Sequence, residues 1–173
     1  MKRACGRRRT GPVGLCVVLV GALLALPGVA SATVRADFNG DGRADLAVGA
    51  PFEEDAGSPY YEDTGAVNVL YGTASGLSAS GNQLWHQDSA GILDVAELGD
   101  DFGSALAAGD FNGDGRADLA VGVHAEDVGG VAVAGAVNVL YGTASGLSAS
   151  GNQLWHQNSP GVEEDDRFGR ALG

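Results

Sequence analysis

Two stretches of this chain occur twice without a single change. DFNGDGRADLAVG runs from Asp37 to Gly49 and again from Asp110 to Gly122, and GAVNVLYGTASGLSASGNQLWHQ runs from Gly65 to Gln87 and again from Gly135 to Gln157. The first pair is displaced by 73 positions and the second by 70. A chain that repeats itself at a fixed period folds as stacked copies of one supersecondary unit, because each unit needs a neighbour to bury its apolar face. The difference in displacement falls in a linker, PFEEDAGSPYYEDT in the first unit and the shorter HAEDVGGVAVA in the second. Length variation confined to acidic and glycine-rich connections marks surface loops.

Inside a unit the signals are for strands. FGSALAAGD (Phe102 to Asp110), ADLAVGVH, GAVNVLYG and NQLWHQ are four short runs, with TASGLSASGN read as a turn between the last two. Leu119 and Val121, and then Val137, Val139 and Tyr141, alternate with period two. Glycines at 103, 109, 113, 115 and 122 make a continuous helix costly, at about 1 kcal/mol each. A four-stranded sheet with two faces to cover is stable when neighbouring sheets cover them. The expected fold is therefore all-β, with sheets stacked as the blades of a β-propeller.

The duplicated loop carries the chemistry. Asp37, Asn39, Asp41 and Asp45 stand at positions 1, 3, 5 and 9, so a tight wrap can turn four oxygen-bearing side chains toward one centre. The carbonyl of Arg43 at position 7 is the natural fifth contribution, and Gly40 and Gly42 permit the turn. Ca²⁺ takes about 6 to 8 oxygen ligands, with water free to complete the shell. An EF-hand loop shares the first half of this pattern but needs an acidic ligand at position 12, which is Val48 in one copy and Val121 in the other. The bland alternative is an acidic turn that binds nothing.

The run FGSALAAGDFNGDGRADLAVGVH (Phe102 to His124) closely resembles the FG-GAP repeat of integrin α chains and of many secreted bacterial proteins. Phe102-Gly103 matches the opening pair, and Gly49-Ala50-Pro51 matches the closing one. The second unit departs at Val123-His124, where Ala-Pro is expected. The resemblance covers essentially Thr33 to Gly173. It implies about two FG-GAP repeats belonging to a seven-bladed integrin α-like propeller. It implies one Ca²⁺ per loop, held by Asp37, Asn39, Asp41, the Arg43 carbonyl and Asp45, and by Asp110, Asn112, Asp114, the Arg116 carbonyl and Asp118.

On this reading residues 1–32 are a secretory signal, 33–101 a first blade lacking its FG opening, 102–167 a second blade, and 168–173 the truncated start of a third repeat. The signal rests on Lys2, Arg3 and Arg7 to Arg9, an apolar Val13 to Ala30, and Ala30-Ser31-Ala32 as a cleavage site. A retained span is the alternative, but Gly21, Pro27 and Gly28 interrupt the apolar run. No stable membrane span is then expected after cleavage, and both cysteines, Cys5 and Cys16, leave with the signal. Five of the ten basic residues leave with it too. The remaining five face 22 acidic residues, a net charge of −17 against −12 for the whole chain. That balance opposes nucleic-acid binding and favours a divalent cation.

His86 and His156 repeat beside Trp85 and Trp155 and read as part of the strand; the acidic runs Glu53 to Asp55, Asp100-Asp101 and Glu163 to Asp166 read as solvated loop charge. The serines of TASGLSAS lack the context of a hydrolase nucleophile. The chain is expected to be no enzyme itself. The expected function is a secreted, calcium-binding, extracellular binding or cell-adhesion module with a protein or glycan ligand. Alternatives are an accessory propeller domain of an extracellular hydrolase and a purely structural surface repeat. Phe168-Gly169 is a spare opening strand, through which copies could self-assemble if the sequence is not simply cut short.

Overall fold

A computed structural model describes residues 32–54, 63–157 and 163–172. The expected signal with its two cysteines, and residues 55–62 of the first linker, lie outside the described residues. Eight strands are present and no helix among the described residues. They are β1 (Thr33–Ala36), β2 (Asp45–Ala50), β3 (Ala66–Thr73), β4 (Gly76–Trp85), β5 (Phe102–Gly109), β6 (Asp118–Val123), β7 (Ala136–Thr143) and β8 (Gly146–His156). They form two four-stranded antiparallel meanders, β1-β2-β3-β4 and β5-β6-β7-β8. Two such sheets built from FG-GAP-like units are consistent with propeller blades.

The strand register shows that the two sheets are the same object. Thr33 pairs with Val48 in the first sheet, and Leu106 pairs with Val121, its counterpart, in the second. The four residues of β1 therefore occupy the places of Leu106 to Gly109. Because side chains alternate across a strand, each sheet has two distinct apolar faces. On the first sheet Ala47, Val67, Val69 and Tyr71 point one way, toward Leu106, Leu119, Val121, Leu140 and Leu147 of the second, and these residues form the main core. Ala120, Val137 and Val139, on the far side of the second sheet, form a smaller cluster against which Leu172 packs.

One expectation is corrected. TASGLSASGN is not a turn: only Ala144-Ser145, like Ala74-Ser75, separates the strands, and β8 begins at Gly146. Thr143 Oγ1 donates to the Gly146 carbonyl at 2.7 Å and accepts from Ser145 N at 3.2 Å, closing the hairpin. Beyond it the pairing jumps from Tyr141↔Ser148 to Val139↔Gln153, so the small polar residues form a bulge within a strand. Serine and glycine look like loop residues in sequence, but Gly146, Leu147 and Ser148 find ladder partners on β7, and pairing resumes at Gln153 beyond the bulge. Asn152, in that bulge, holds the connection between β4 and β5 by accepting from Leu93 N at 3.0 Å.

Candidate functional site: the duplicated loops and the glycine seats

The loop before β2 is wound around the first aspartate. Asp37 Oδ1 accepts the N–H groups of Gly40 and Asp41 at 2.7 and 3.1 Å, and Oδ2 accepts Gly42 N at 2.8 Å. Asn39 Oδ1 accepts Asp41 N at 3.0 Å, and Asp41 Oδ1 accepts Arg43 N at 2.9 Å. Gly40 and Gly42 have φ of 73° and 83°, angles open to glycine at no steric cost. The second loop reproduces this: Asp110 accepts from Gly113, Asp114 and Gly115 at 2.7, 3.0 and 2.9 Å, Asn112 accepts Asp114 N at 2.8 Å, and Asp114 accepts Arg116 N at 2.9 Å.

Position 9 behaves differently. Asp45 and Asp118 are fully buried. Asp45 takes Phe38 N on Oδ2 and Gly72 N on Oδ1, both at 2.8 Å, so it braces the loop entrance to β3. Asp118 does the same with Phe111 N at 2.8 Å and Gly142 N at 2.9 Å. Burial, opposed by these two N–H donors, pushes the Asp45 carboxyl above the ordinary range. The side chains of Arg43 and Arg116 lie 3.2 and 3.8 Å from Asp41 and Asp114. Among the described residues no three His, Cys, Asp or Glu side chains stand together in a metal-holding group. Positions 1, 3 and 5 are thus brought to one small exposed loop, while position 9 is turned to the backbone beneath it.

As chemistry, the donor set still fits a hard cation. Every contributing atom is an oxygen, the two carboxylates at positions 1 and 5 retain lone pairs beyond those given to backbone N–H groups, and the Arg43 and Arg116 carbonyls belong to the same turn. The adjacent loops also touch: Ala117 N donates to the Asp37 carbonyl at 3.0 Å, and the Arg116 side chain lies against Gly40.

The FG pair has a physical job that the sequence did not reveal. Phe102 bridges to Gly65 in parallel and is completely buried. A Cβ at Gly49 would stand 2.1 Å from the Gly103 carbonyl oxygen, and one at Gly65 would stand 2.3 Å from that of Phe102. Phe168 and Gly169 sit the same way on Gly135 and Gly122, at 2.3 and 2.1 Å. The opening pair of one unit is therefore seated on two glycines of the unit before it, backbone on backbone. A further inter-sheet link is Tyr71, which donates to Gln83 Oε1 and accepts Leu147 N at 2.9 Å. The verbatim recurrence of Tyr71 and Gln83 as Tyr141 and Gln153 is the signal that could have found it.

Two further groups were read only as loop charge. Glu126 is buried and accepts Gln87 Nε2 at 2.7 Å; burial, followed by the nearby charges of Asp100 and Asp94, pushes its carboxyl up to about 9. Burial likewise raises Asp100 and Asp101 to about 6. His124, which has no twin, lies 3.5 Å from Asp101. His86 is half-buried and lies one residue past the end of β4, so its reading as a strand residue does not hold there, whereas its twin His156 is the last residue of β8.

A family model described as "FG-GAP repeat" matches residues 29–70 and 102–140. Phosphatidylinositol-glycan-specific phospholipase D of Rattus norvegicus is 41% identical over 118 residues, which is 68% of this chain and 14% of that protein. Integrin alpha pat-2 of Caenorhabditis briggsae is 36% identical over 152 residues, 79% of this chain and 11% of the relative. Integrin alpha-IIb of Mus musculus is 36% identical over 120 residues, 68% and 11% respectively. This chain thus spans a small part of the length of each of these relatives.

Proposed function

We propose that this chain, which belongs to the FG-GAP repeat proteins, is a calcium-binding, non-catalytic propeller segment that works outside the cell as a binding or adhesion module. The observation that carries this reading is the oxygen-rich turn built twice with the same hydrogen bonds, on the same side of two stacked sheets. Asp37, Asn39, Asp41 and the Arg43 carbonyl would hold one Ca²⁺, with Asp45 beneath them. Asp110, Asn112, Asp114, the Arg116 carbonyl and Asp118 would hold the other. Bound calcium would neutralise clustered carboxylates and stiffen the loops that stand on the blades. The ligand class we propose is an extracellular protein or glycan, consistent with the integrin relatives, and the chain is assigned to the secreted fraction.

Thermal unfolding tests the metal. A ligand that binds only the folded state at 100 times its Kd stabilises it by about 2.7 kcal/mol, or about 5 to 10 °C for a chain of this size. Calcium should give a rise of that order over chelator, and Asp41→Ala with Asp114→Ala should remove most of it. Superimposed melting curves in calcium and chelator would refute the reading.

The phospholipase relatives favour one second reading, a propeller segment accompanying a catalytic domain. The product of the complete locus, assayed for phosphodiester hydrolysis on glycosylated phosphatidylinositol, separates the two. Activity with this segment dispensable for turnover would favour the accessory role, and inactivity together with ligand binding would favour the adhesion module.

A further inference from the structure

The two loops share one sequence and the same backbone hydrogen bonds, yet their position-7 arginines stand differently. In the first loop both oxygens of Asp41 are engaged by residue 43: Oδ1 accepts Arg43 N at 2.9 Å, and Oδ2 accepts Arg43 Nη1 at 3.2 Å. In the second, Asp114 Oδ1 accepts Arg116 N at 2.9 Å, but Arg116 Nη1 stands off from Oδ2 at 3.8 Å, beyond hydrogen-bond length. Oδ2 is left with Asn112 Nδ2 at 3.4 Å. The junction between the sheets is the cause. Arg116 is drawn across to the first loop, where a Cβ on Gly40 would stand 3.2 Å from its Cγ and 3.1 Å from its Nε. That Nε is buried and meets no hydrogen-bond partner, so packing holds it there and not an acceptor. Arg35 adds to the imbalance: it lines the same hollow as Arg43 and Asp45, and its counterpart in the second sheet is Ala108.

Resting on the calcium reading above, we propose that the position-7 side chains set the calcium affinity of the loops and make them unequal. The second loop fills first, and Arg116 holds down the affinity of the first from across the junction. A cation entering the first loop has to displace Arg43 to reach Asp41 Oδ2, and it then sits beside a second guanidinium lying along Gly40, between positions 3 and 5. In the second loop it meets an Asp114 oxygen already free of its arginine. Residue 7 thus offers the metal its carbonyl and opposes it with its side chain. The arginine side chains are 47% and 35% exposed, so water and salt screen their charge. Each arginine is therefore expected to weaken calcium binding by about three- to tenfold, not by orders of magnitude.

The test is isothermal titration calorimetry of the full chain with calcium chloride. Asp114→Ala leaves the first loop to report alone, and Asp41→Ala leaves the second. The second loop alone should bind at least about threefold more tightly than the first alone. In the Asp114→Ala background, Arg43→Gln and Arg116→Gln should each tighten the first loop by about three- to tenfold, and added salt should shrink both gains. Arg116→Lys keeps the charge, and Arg170→Gln removes one whose field falls on His124, just past the other end of β6; both should stay within about twofold of that background. Equal affinities in the two loops, or no gain from Arg116→Gln, would overturn the inference and leave the calcium reading standing. So would an equal gain from Arg116→Lys, which would make the effect one of packing and not of charge. A parent chain that binds no calcium would overturn both.

Discussion

Gly49→Ala is the most informative single change. Gly49 lies in β2 with ordinary backbone angles, so adding a methyl group there would normally be neutral or favourable by about 0.5–1 kcal/mol, through the lower entropy of the unfolded chain. Here the new Cβ would stand 2.1 Å from the Gly103 carbonyl oxygen, where ordinary contact begins at 3.4 Å. The FG backbone would have to retreat by more than 1 Å. Gly103 has little room to yield sideways, since even a Cβ placed on it would stand 2.8 Å from the Ala66 carbonyl oxygen and 3.3 Å from Gly49 Cα. Retreat lifts Phe102 from a fully buried place in the main core. Overpacking of this kind costs about 1–3 kcal/mol, and partial loss of a buried phenylalanine adds about 1–2 more, so we expect a loss of about 3–4 kcal/mol. Urea unfolding followed by tryptophan fluorescence would measure it, as Trp85 lies against that core. Gly81→Ala is the control: φ is 77° but nothing stands within 4 Å, so only conformational strain of about 1 kcal/mol is expected. Gly122→Ala, the twin of Gly49→Ala, displaces the segment around Gly169 and crowds the Ala105 methyl at 3.2 Å, but lifts no fully buried phenylalanine and should cost less than Gly49→Ala. A Gly49→Ala protein within 1 kcal/mol of the parent would refute the glycine-seat account.

The remaining predictions concern buried polar groups. Glu126 loses its proton near 4.5 when unfolded but holds it to about 9 when folded. The folded state binds more protons in that window, so stability should fall as pH rises through it, with Asp100 and Asp101 adding to the fall up to about pH 6. Glu126→Gln should flatten the fall and stabilise the protein on the order of 2–3 kcal/mol at pH 7.5, read from urea midpoints at pH 5 and 7.5; unchanged pH dependence would contradict it. Tyr71→Phe removes one of two acceptors of Leu147 N, leaving Gln83 Oε1 at 3.1 Å, and should cost about 0.5–1.5 kcal/mol, whereas Tyr141→Phe should cost less; equal losses would count against the inter-sheet link. Asp45→Asn should destabilise the protein by about 1–3 kcal/mol even in chelator, because one of two backbone N–H groups loses its acceptor, while Asp41→Asn in chelator should melt close to the parent. A parent-like melt for Asp45→Asn in chelator would remove the brace.

The strands and their stacking were legible because period-two patterning and verbatim repetition are local properties of the sequence. Positions 1, 3 and 5 of the loop were legible too, since Asp37, Asn39 and Asp41 act on N–H groups at most five residues away. Asp45 was only half legible. Its spacing suggests a ligand, but one of its partners, Gly72, lies 27 residues on and appears only once the sheet has formed. The strand character of TASGLSASGN was hidden for a related reason: the backbone partners that make it a strand lie on β7, not within it. Glu126 read as surface charge because acidic linkers usually are; nothing local indicates that Gln87, 39 residues earlier, covers it.

The duplication is also a built-in control on what a sequence can encode. Leu77 and Leu147 share the twelve residues before them and the ten after, yet one is half exposed and the other buried. Local propensity is identical at the two sites, so the difference comes wholly from what stacks on each sheet. Glycine follows the same logic. Gly49, Gly65, Gly122 and Gly135 are each met by the backbone of the next unit, and at Gly49, where no positive φ demands glycine, the nearest atoms a Cβ would meet all belong to Gly103. The signature of this repeat is therefore less a recipe for a sheet than for a junction between sheets.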